Sequence, residues 1–461
     1  MSASMTRTKT LEGGHSGPPK SGLGKPAAAG DGVQTELRGL PADWRVDRFD
    51  SVFDVQQGRQ VSKQNRIGEN QRPFLRTKNV FWNRLDLADL DQMHFSEADE
   101  SRLALKPDDL LICEGGDIGR TAIWGGLISR CYYQNHLHRA RIRAPKTAAA
   151  QFILFWLWYA FKFGHLYFGR GNVTTIPNLS QSKLCELPLA IPPLAEQQKI
   201  AAVLGIVQRA IEQQEHLLAL TAELKKTLLH QLFTQGLRGE PQKQTDIGPV
   251  PESWDVKPLR DYLTEAQYGI SAKGAVTGRY AVLRMTNQQQ GKISGADLQY
   301  VELSPSQFAK FRVERQDILF NRTNSLELVG RTAIFDLEGD FVFASYLIRL
   351  RTDSAQLRPS FLTHYFNWDE TQVRLKSIAT RAVSQSNISA TRLRGFAVPV
   401  PSPVEQDEII AHVDDLDRKL TVHRRKLTTL SNLFRTLLHQ LMTAQIRVDQ
   451  LDIEEFDIGS S

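Results

Sequence analysis

A long amphipathic stretch that occurs twice limits what this chain can fold into. Pro193–Gly236 carries apolar residues at Ile200, Leu204, Val207, Ile211, Leu218, Leu228 and Leu232. This is the four-three spacing of a helix packed along a seam, with Gln214, Thr221 and Lys225 as its weak points. Pro192 and Pro193 suit the entry to a helix, Glu196 suits its positive end, and Gly236 suits its stop. About 209 residues later, Val400–Thr443 repeats the pattern with a cleaner seam: Ile409, Val413, Leu416, Leu420, His423, Leu427, Leu430, Phe434, Leu437 and Leu441. Ser402-Pro403-Val404-Glu405 has the form of a capping box with proline at the first helical position. Both stretches open on Pro-x-x-Glu-Gln or a close variant (Pro193 to Gln197, Pro401 to Gln406), and both end in Thr-Leu-Leu-His-Gln-Leu (Thr227 to Leu232, Thr436 to Leu441). At about 1.5 Å per residue such a helix spans roughly 60 Å, far beyond an ordinary globular helix. Two helices packed on each other as a spacer are therefore expected.

The repeat extends through the rest of the chain. Leu40-Pro-Ala-Asp-Trp44 opens one globular unit and Val250-Pro-Glu-Ser-Trp254 opens the other. Leu75–Asn79 matches Leu283–Asn287, Asp109–Ile112 matches Asp317–Phe320, and Leu137–Arg141 matches Leu347–Arg351. Gly119-Arg-Thr-Ala-Ile123 recurs unchanged at Gly330–Ile334, and Asn178-Leu-Ser180 becomes Asn387-Ile-Ser389. The offset stays between 208 and 211 residues, so this is a tandem duplication of a domain followed by a long helix. The period is too long for a solenoid. Short β-segments at Asp109–Cys113, Thr121–Trp124 and Leu137–Arg143, with helices at Gln151–Phe163 and Ser360–Ser377, predict a mixed α/β (α+β) domain in each copy. The expected boundaries are a disordered tail at 1–36, a first domain at 37–192, a long helix at 193–236, a linker at 237–249, a second domain at 250–401, a second long helix at 402–446 and an acidic tail at 447–461. Residues 1–36 are rich in Gly, Pro, Ser, Ala and Lys, hold no aromatic residue and contain no phosphate-loop pattern.

The two copies differ between these matched segments. Gln57–Gln71 bears little resemblance to Tyr268–Gly278, and Glu114–Ile118 differs from Asn321–Val329. A shared frame with divergent loops suits two readers of two different targets.

Chemistry is not expected in this chain. Neither Pro18-Pro19 nor Pro192-Pro193 fits the motif that an amino-methyltransferase uses to hold a flipped base. No glycine-rich nucleotide loop follows a strand. Pro107-Asp108 and the Glu223-Leu-Lys225 stretch lie too far apart for a nuclease site, and Glu223 and Lys225 read as a solvated helix face. The histidines show no zinc spacing, so no metal is expected. Cys113, Cys131 and Cys185 match neither a zinc pattern nor a disulfide framework, which suits a reducing cytoplasm. The N-terminus lacks the apolar segment of an export signal, and Phe152–Phe168 is broken by Lys162, Gly164 and His165, as suits a buried helix rather than a membrane span.

Recognition chemistry remains. The formal net charge is +6, which permits a polyanion partner. Candidate DNA-binding residues in the first copy are Arg59, Lys63, Arg66, Arg76, Lys78, Asn79, Arg170, Asn172 and Thr174. In the second they are Lys273, Arg279, Arg284, Asn287, Arg322, Asn324, Arg381, Ser384 and Ser386. Arg and Lys neutralise phosphates, and Arg and Asn also make paired hydrogen bonds to guanine and adenine edges. The alternative is a coiled-coil scaffold with two protein-binding domains, against which the basic clusters and divergent loops argue mildly.

The duplicated domain-helix plan, the PPLAEQQKI and PSPVEQDEI helix starts, the NLSQSKL and NISATRL lead-ins and GRTAI in each half together resemble the specificity subunit of a type I restriction-modification enzyme over about Leu37–Thr443. The resemblance implies a non-catalytic chain whose two target recognition domains each read one half of a split double-stranded DNA site. It implies long helices that form an antiparallel coiled coil with pseudo-two-fold symmetry, fix the separation and dock two modification subunits. Glu196, Gln197, His230, Glu405, Gln406 and His439, which recur at matching helix positions, become docking candidates. S-adenosylmethionine, ATP and Mg would belong to the modification (adenine-N6 methyltransferase) and restriction (translocase and nuclease) partners, with no cofactor in this chain.

Overall fold

The computed structural model describes residues 37, 39–144, 146–164, 166, 178–381 and 385–448. The chain divides into two units: residues up to Gln208 together with Asn432 onward, and Arg209–Ser431. The first long helix, Leu194–Gln235, begins in the first unit and ends in the second, and the second long helix, Pro403–Met442, does the reverse.

In the first unit an antiparallel sheet runs in the order Phe53–Gln57, Leu137–Ile142, Leu110–Cys113, Thr121–Ile123. A second sheet runs Asp91–His94, Gln71–Leu75, Tyr132–Tyr133, its last strand parallel. Arg45–Arg48 pairs with Pro188–Ile191 just ahead of the long helix. The helix Ala150–Lys162 is buried along most of its length, as its apolar run predicts. Its Phe155 and Trp158 lie 6.0 and 5.0 Å from the ring of Phe434. No helix among the described residues is long and apolar enough to cross a membrane.

The second unit repeats the plan: Leu263–Tyr268, Leu347–Thr352, Ile318–Asn321 and Thr332–Ile334 run in the same order, and Lys292–Ile293 and Gln288–Gln289 extend that sheet to six strands. Gln299–Val301, Tyr280–Leu283 and Phe341–Phe343 form the companion sheet. The helix expected over Ser360–Ser377 is two helices, Pro359–Asn367 and Asp369–Ser377. Trp368 breaks them with an extended backbone, and its buried ring packs against Phe233 and Tyr365.

The matched motifs are scaffold. Asp109 and Asp317, both buried, each receive two hydrogen bonds from an arginine on the paired strand, Arg141 (2.7 and 2.6 Å) and Arg351 (2.7 and 3.0 Å). Each also accepts a backbone N–H three residues upstream, from Lys106 and Glu314. The repeated Gly-Arg-Thr-Ala-Ile supplies a left-handed turn at Gly119 (φ 79°) and Gly330 (φ 88°), where a side chain is strained. A Cβ at Gly119 would also fall 2.4 Å from the Phe161 ring.

Every expected seam position of both long helices is buried or half-buried. Within the second unit Gln214 meets His423, Lys225 meets Asp417 at 2.5 Å, and the Leu237 N–H meets Glu405, so these helix segments run antiparallel. Lys225 is thus an ion-paired seam residue rather than part of a solvated face, while Glu223 is exposed. Gly236 ends the first helix with φ 67°, its N–H donating to the Leu232 carbonyl.

The acidic helix Glu97–Leu103 anchors the first domain's variable loop. Burial alone would raise the Glu100 carboxyl, but donors from Asn70, Arg72 and Arg130 outweigh it and hold it at about 2 against an ordinary 4.5. A depressed folded value gives stability that is present above the unfolded value and is lost as pH falls toward the folded one. The stability gap between wild type and Glu100→Gln, followed by denaturant unfolding, is therefore expected to close between about pH 5 and pH 2.

Candidate nucleic-acid interface

The same three chain segments meet at one end of the main sheet in each domain. The strand Phe53–Gln57 runs into Gly58, the strand Leu110–Cys113 runs into Glu114, and the turn Gln134–His136 closes over both. A Cβ on Gly58 would sit 2.3 Å from the Gln134 carbonyl, so only glycine permits this approach. In the second domain Gly269 stands 2.3 Å by the same measure from the Ala344 carbonyl, beside Arg322 and the Ser345–Tyr346 turn. The divergent loops leave from these strand ends.

In the first domain Lys63 and Arg66 are exposed, with no ion pair among the described residues. Arg59 is half-buried and committed to Asp99 and Asn65. In the second domain Lys273, Arg279 and Arg381 are exposed. The Arg322 guanidinium lies 4.7 Å from the exposed Tyr268 ring and donates to the Ser345 carbonyl, while Asn324 donates to the Met285 sulfur. A short sheet of Thr323–Asn324, Ser386–Asn387 and Thr380–Arg381 joins these loops. Arg170, Asn172, Thr174 and Ser384 lie outside the described residues.

Several expected base readers are structural instead. Asn79 and Asn287 are buried, and each caps its own turn, accepting from the Arg76 or Arg284 N–H at 2.9 Å and donating to two carbonyls. Arg76 and Lys78 are ion-paired to Asp91 and Asp89, and Arg284 to Asp297. Ser386 is buried in the short sheet.

Four docking candidates also need correction. Gln197 and Gln406 are buried; each side-chain oxygen accepts a domain backbone N–H (Ala149, 2.8 Å; Arg358, 2.7 Å), and each amide donates to the proline carbonyl ahead of the helix at 2.9 Å. Glu196 and Glu405 take the indole N–H of Trp44 and Trp254 at 3.2 and 3.3 Å, and Glu196 also takes Arg447. These residues clamp each long helix to its domain, which explains why Pro-x-x-Glu-Gln and the opening tryptophan recur together. His230 and His439 are exposed; His230 contacts Glu370, and the His439 ring lies 5.8 Å from that of Tyr159.

One group of possible metal ligands stands out among the described residues: His364, Asp414 and Asp417, with a ligand atom of each within 4.8 Å of the others. Its members already have partners, because His364 bonds Asp414 at 3.0 Å and Lys225 bonds Asp417. The His364 hydrogen bond holds the Asp414 carboxyl below the usual carboxylate range. It serves as a polar link between the second domain and its helix. The Cys113 and Cys131 thiols are pushed up to about 11 and about 12 by burial, which makes them inert packing groups.

The fold is that of a protein built as a tandem α/β frame with a long helix after each copy. The sequence matches the family described as Type I restriction modification DNA specificity domain over residues 41–221 and 251–432, and the chain belongs to that family. As such it supplies DNA specificity within a multi-subunit system whose catalysis lies in other subunits. It is 22% identical to the type I restriction enzyme StySPI specificity subunit of Salmonella potsdam, across 90% of this chain and 92% of that protein. The EcoKI specificity subunit of Escherichia coli gives the same figures. A putative MjaX specificity subunit of Methanocaldococcus jannaschii is 30% identical over 46% of this chain, which spans only about half of that relative's length (51%). In fold, the chain resembles the S subunit of a type I system from M. genitalium, with TM-score 0.53 and 16% identity over 88% of this chain and 98% of the other.

Proposed function

We propose that each domain reads one half of a split double-stranded DNA target, and that the long helices set the unread spacing between the halves. The observation that carries this reading is the shared strand-end frame with different side chains in each copy, on a chain of the specificity family. Lys63, Arg66 and Lys273, exposed in the divergent loops, and the exposed Arg279 and Arg381 supply phosphate contacts, and Arg322 and Asn324 stand at the strand end of the second domain. Arg170, Asn172, Thr174 and Ser384 belong to the same proposed surfaces by sequence. Two modification subunits dock on the long helices, where His230, His439 and the exposed Leu217, Leu220 and Leu224 offer contact area. Those subunits bring S-adenosylmethionine and methylate adenine, restriction subunits bring ATP and Mg, and the complex works in the cytoplasm.

The test is a map of N6-methyladenine across the host genome with and without this gene, paired with methylation by the complex reconstituted with its modification subunits. Loss of methylation at one asymmetric split motif is expected, together with its restoration in the reconstituted reaction. An active reconstituted complex that methylates no split motif would overturn the reading.

A further inference from the structure

Glu114 and Arg322 occupy one backbone position in two copies of the fold. Cys113 pairs with Leu137 and Asn321 with Leu347, so the next residue is Glu114 in one sheet and Arg322 in the other. The Glu114 N–H donates to the His136 carbonyl and the Arg322 N–H to the Tyr346 carbonyl, both at 3.0 Å. Their own carbonyls accept from Leu179 at 2.9 Å and from Ile388 at 2.8 Å. The backbone is held identically, yet the side chains carry opposite charge. Where the frame needs a charge it keeps one, as at Asp109–Arg141 and Asp317–Arg351. A position built equally well with either sign is not serving the frame.

The surroundings differ to match. Arg322 has no carboxylate partner among the described residues; its Nη1 donates one hydrogen to the Ser345 carbonyl at 3.1 Å and its Nε is buried without a partner, so the donors left for a ligand are on the two terminal nitrogens. Its guanidinium lies over Tyr268, whose hydroxyl is fixed by the Ala390 N–H at 2.7 Å. This is a guanidinium held in place from behind, with its terminal Nη1–Nη2 edge as the donor pair, beside exposed aromatic surface. In the first domain the Glu114 carboxylate lies 3.3 Å from His136 Nδ1, and the His136 side chain is 60% exposed. An ionised carboxylate only accepts, so Nδ1 carries the hydrogen, and in the neutral imidazole Nε2 is left as an acceptor.

Resting on the function proposed above, we infer that this position sets the base preference of each half-site. Arg322 reads guanine in the second domain, through O6 and N7 in the major groove. His136, held in its tautomer by Glu114, reads an amino-bearing base, cytosine or adenine, in the first. Arg322 and His136 are the readers, and Glu114 and Tyr268 are positioning residues.

The test uses the complex with its modification subunits acting on a library randomised across both half-sites, read out as N6-methyladenine by sequence. Arg322→Gln is expected to relax one guanine position in one half by about 5- to 150-fold and to leave the other half unchanged. Arg322→Lys is expected to weaken the same guanine preference less than Arg322→Gln does, because an ammonium still donates to O6 and N7 but lacks the planar fork. His136→Ala is expected to relax a cytosine or adenine in the opposite half. Glu114→Ala has the same expected effect, while Glu114→Gln, whose side-chain oxygen can still accept from Nδ1, retains the preference. Each variant's unfolding transition is measured alongside. Relaxation by the Arg322 and His136 variants in the same half, retained guanine preference in Arg322→Gln, or uniform loss across all positions by a folded variant would overturn the inference. A wild-type complex with no split motif would instead defeat the underlying function.

Discussion

Removing Thr221–Leu224 from the first long helix is expected to shorten the unread spacer of the target while both half-site sequences stay the same. The four residues lie within Leu194–Gln235. Their loss shortens the helix by about 6 Å and turns its C-terminal portion by about 40° relative to its N-terminal portion, because four residues exceed one turn only slightly. The seam survives the change: Lys225, Leu229 and Leu232 move into the places now held by Thr221, Lys225 and Leu228, and Leu229 is already partly buried. The C-terminal portion therefore keeps nearly the same face inward at a shorter distance. On a duplex rising 3.4 Å per pair, 6 Å corresponds to roughly one to two base pairs. Methylation at native sites is expected to fall to background, and a new motif with the same halves is expected to appear. Duplicating the same four residues is expected to lengthen the spacer by the same step. Genome-wide N6-methyladenine mapping reads both. An unchanged spacer in a variant that still methylates would remove the helix from the role of ruler.

Several segments alike in both copies hold the frame that both copies share. Asn79 and Asn287 cap turns, Gln197 and Gln406 clamp a helix start, and Asp109 and Asp317 hold arginines. Arg76, Lys78, Asn79, Arg284 and Asn287 look like base readers by residue type, but they sit in such matched segments, and each is spent on local contacts. Lys63, Arg66 and Lys273 come from segments that differ, and they remain exposed. The seams were legible because a helix buries every third or fourth residue whatever else surrounds it. The meeting of Glu114 with His136, and of Arg322 with Tyr268, was not legible, because sheet register brings together residues that sequence proximity does not relate. The break at Trp368 was hidden for a similar reason: no proline or glycine marks it, and tertiary packing of the indole decides it.

Replacing Asp109 with alanine is expected to destabilise the first unit by about 3 kcal/mol, since removing one partner of a buried ion pair leaves the other uncompensated. Asp109 is 1% exposed and accepts three hydrogen bonds, two from Arg141 and one from the Lys106 N–H. The Asp109 hydrogen bond raises the Arg141 guanidinium further above its ordinary value, so the arginine stays charged and must find water when its partner is gone. The Arg141 side chain is 28% exposed, so water can reach it in part, which places the expected cost at the lower end of the range for buried pairs. A loss of this size lowers the midpoint of a unit of this length by about 6–12 °C. The double variant Asp109→Ala with Arg141→Met is expected to recover part of the loss, because it removes the stranded charge along with its partner. Trp124 and Trp156 report on the first unit by fluorescence, and Trp254 and Trp368 on the second. Asp109→Ala is expected to move the first signal and Asp317→Ala the second. If Asp109→Ala costs no more than an exposed ion pair, well under about 1 kcal/mol, then the repeated aspartate does not hold the frame and its recurrence needs another cause.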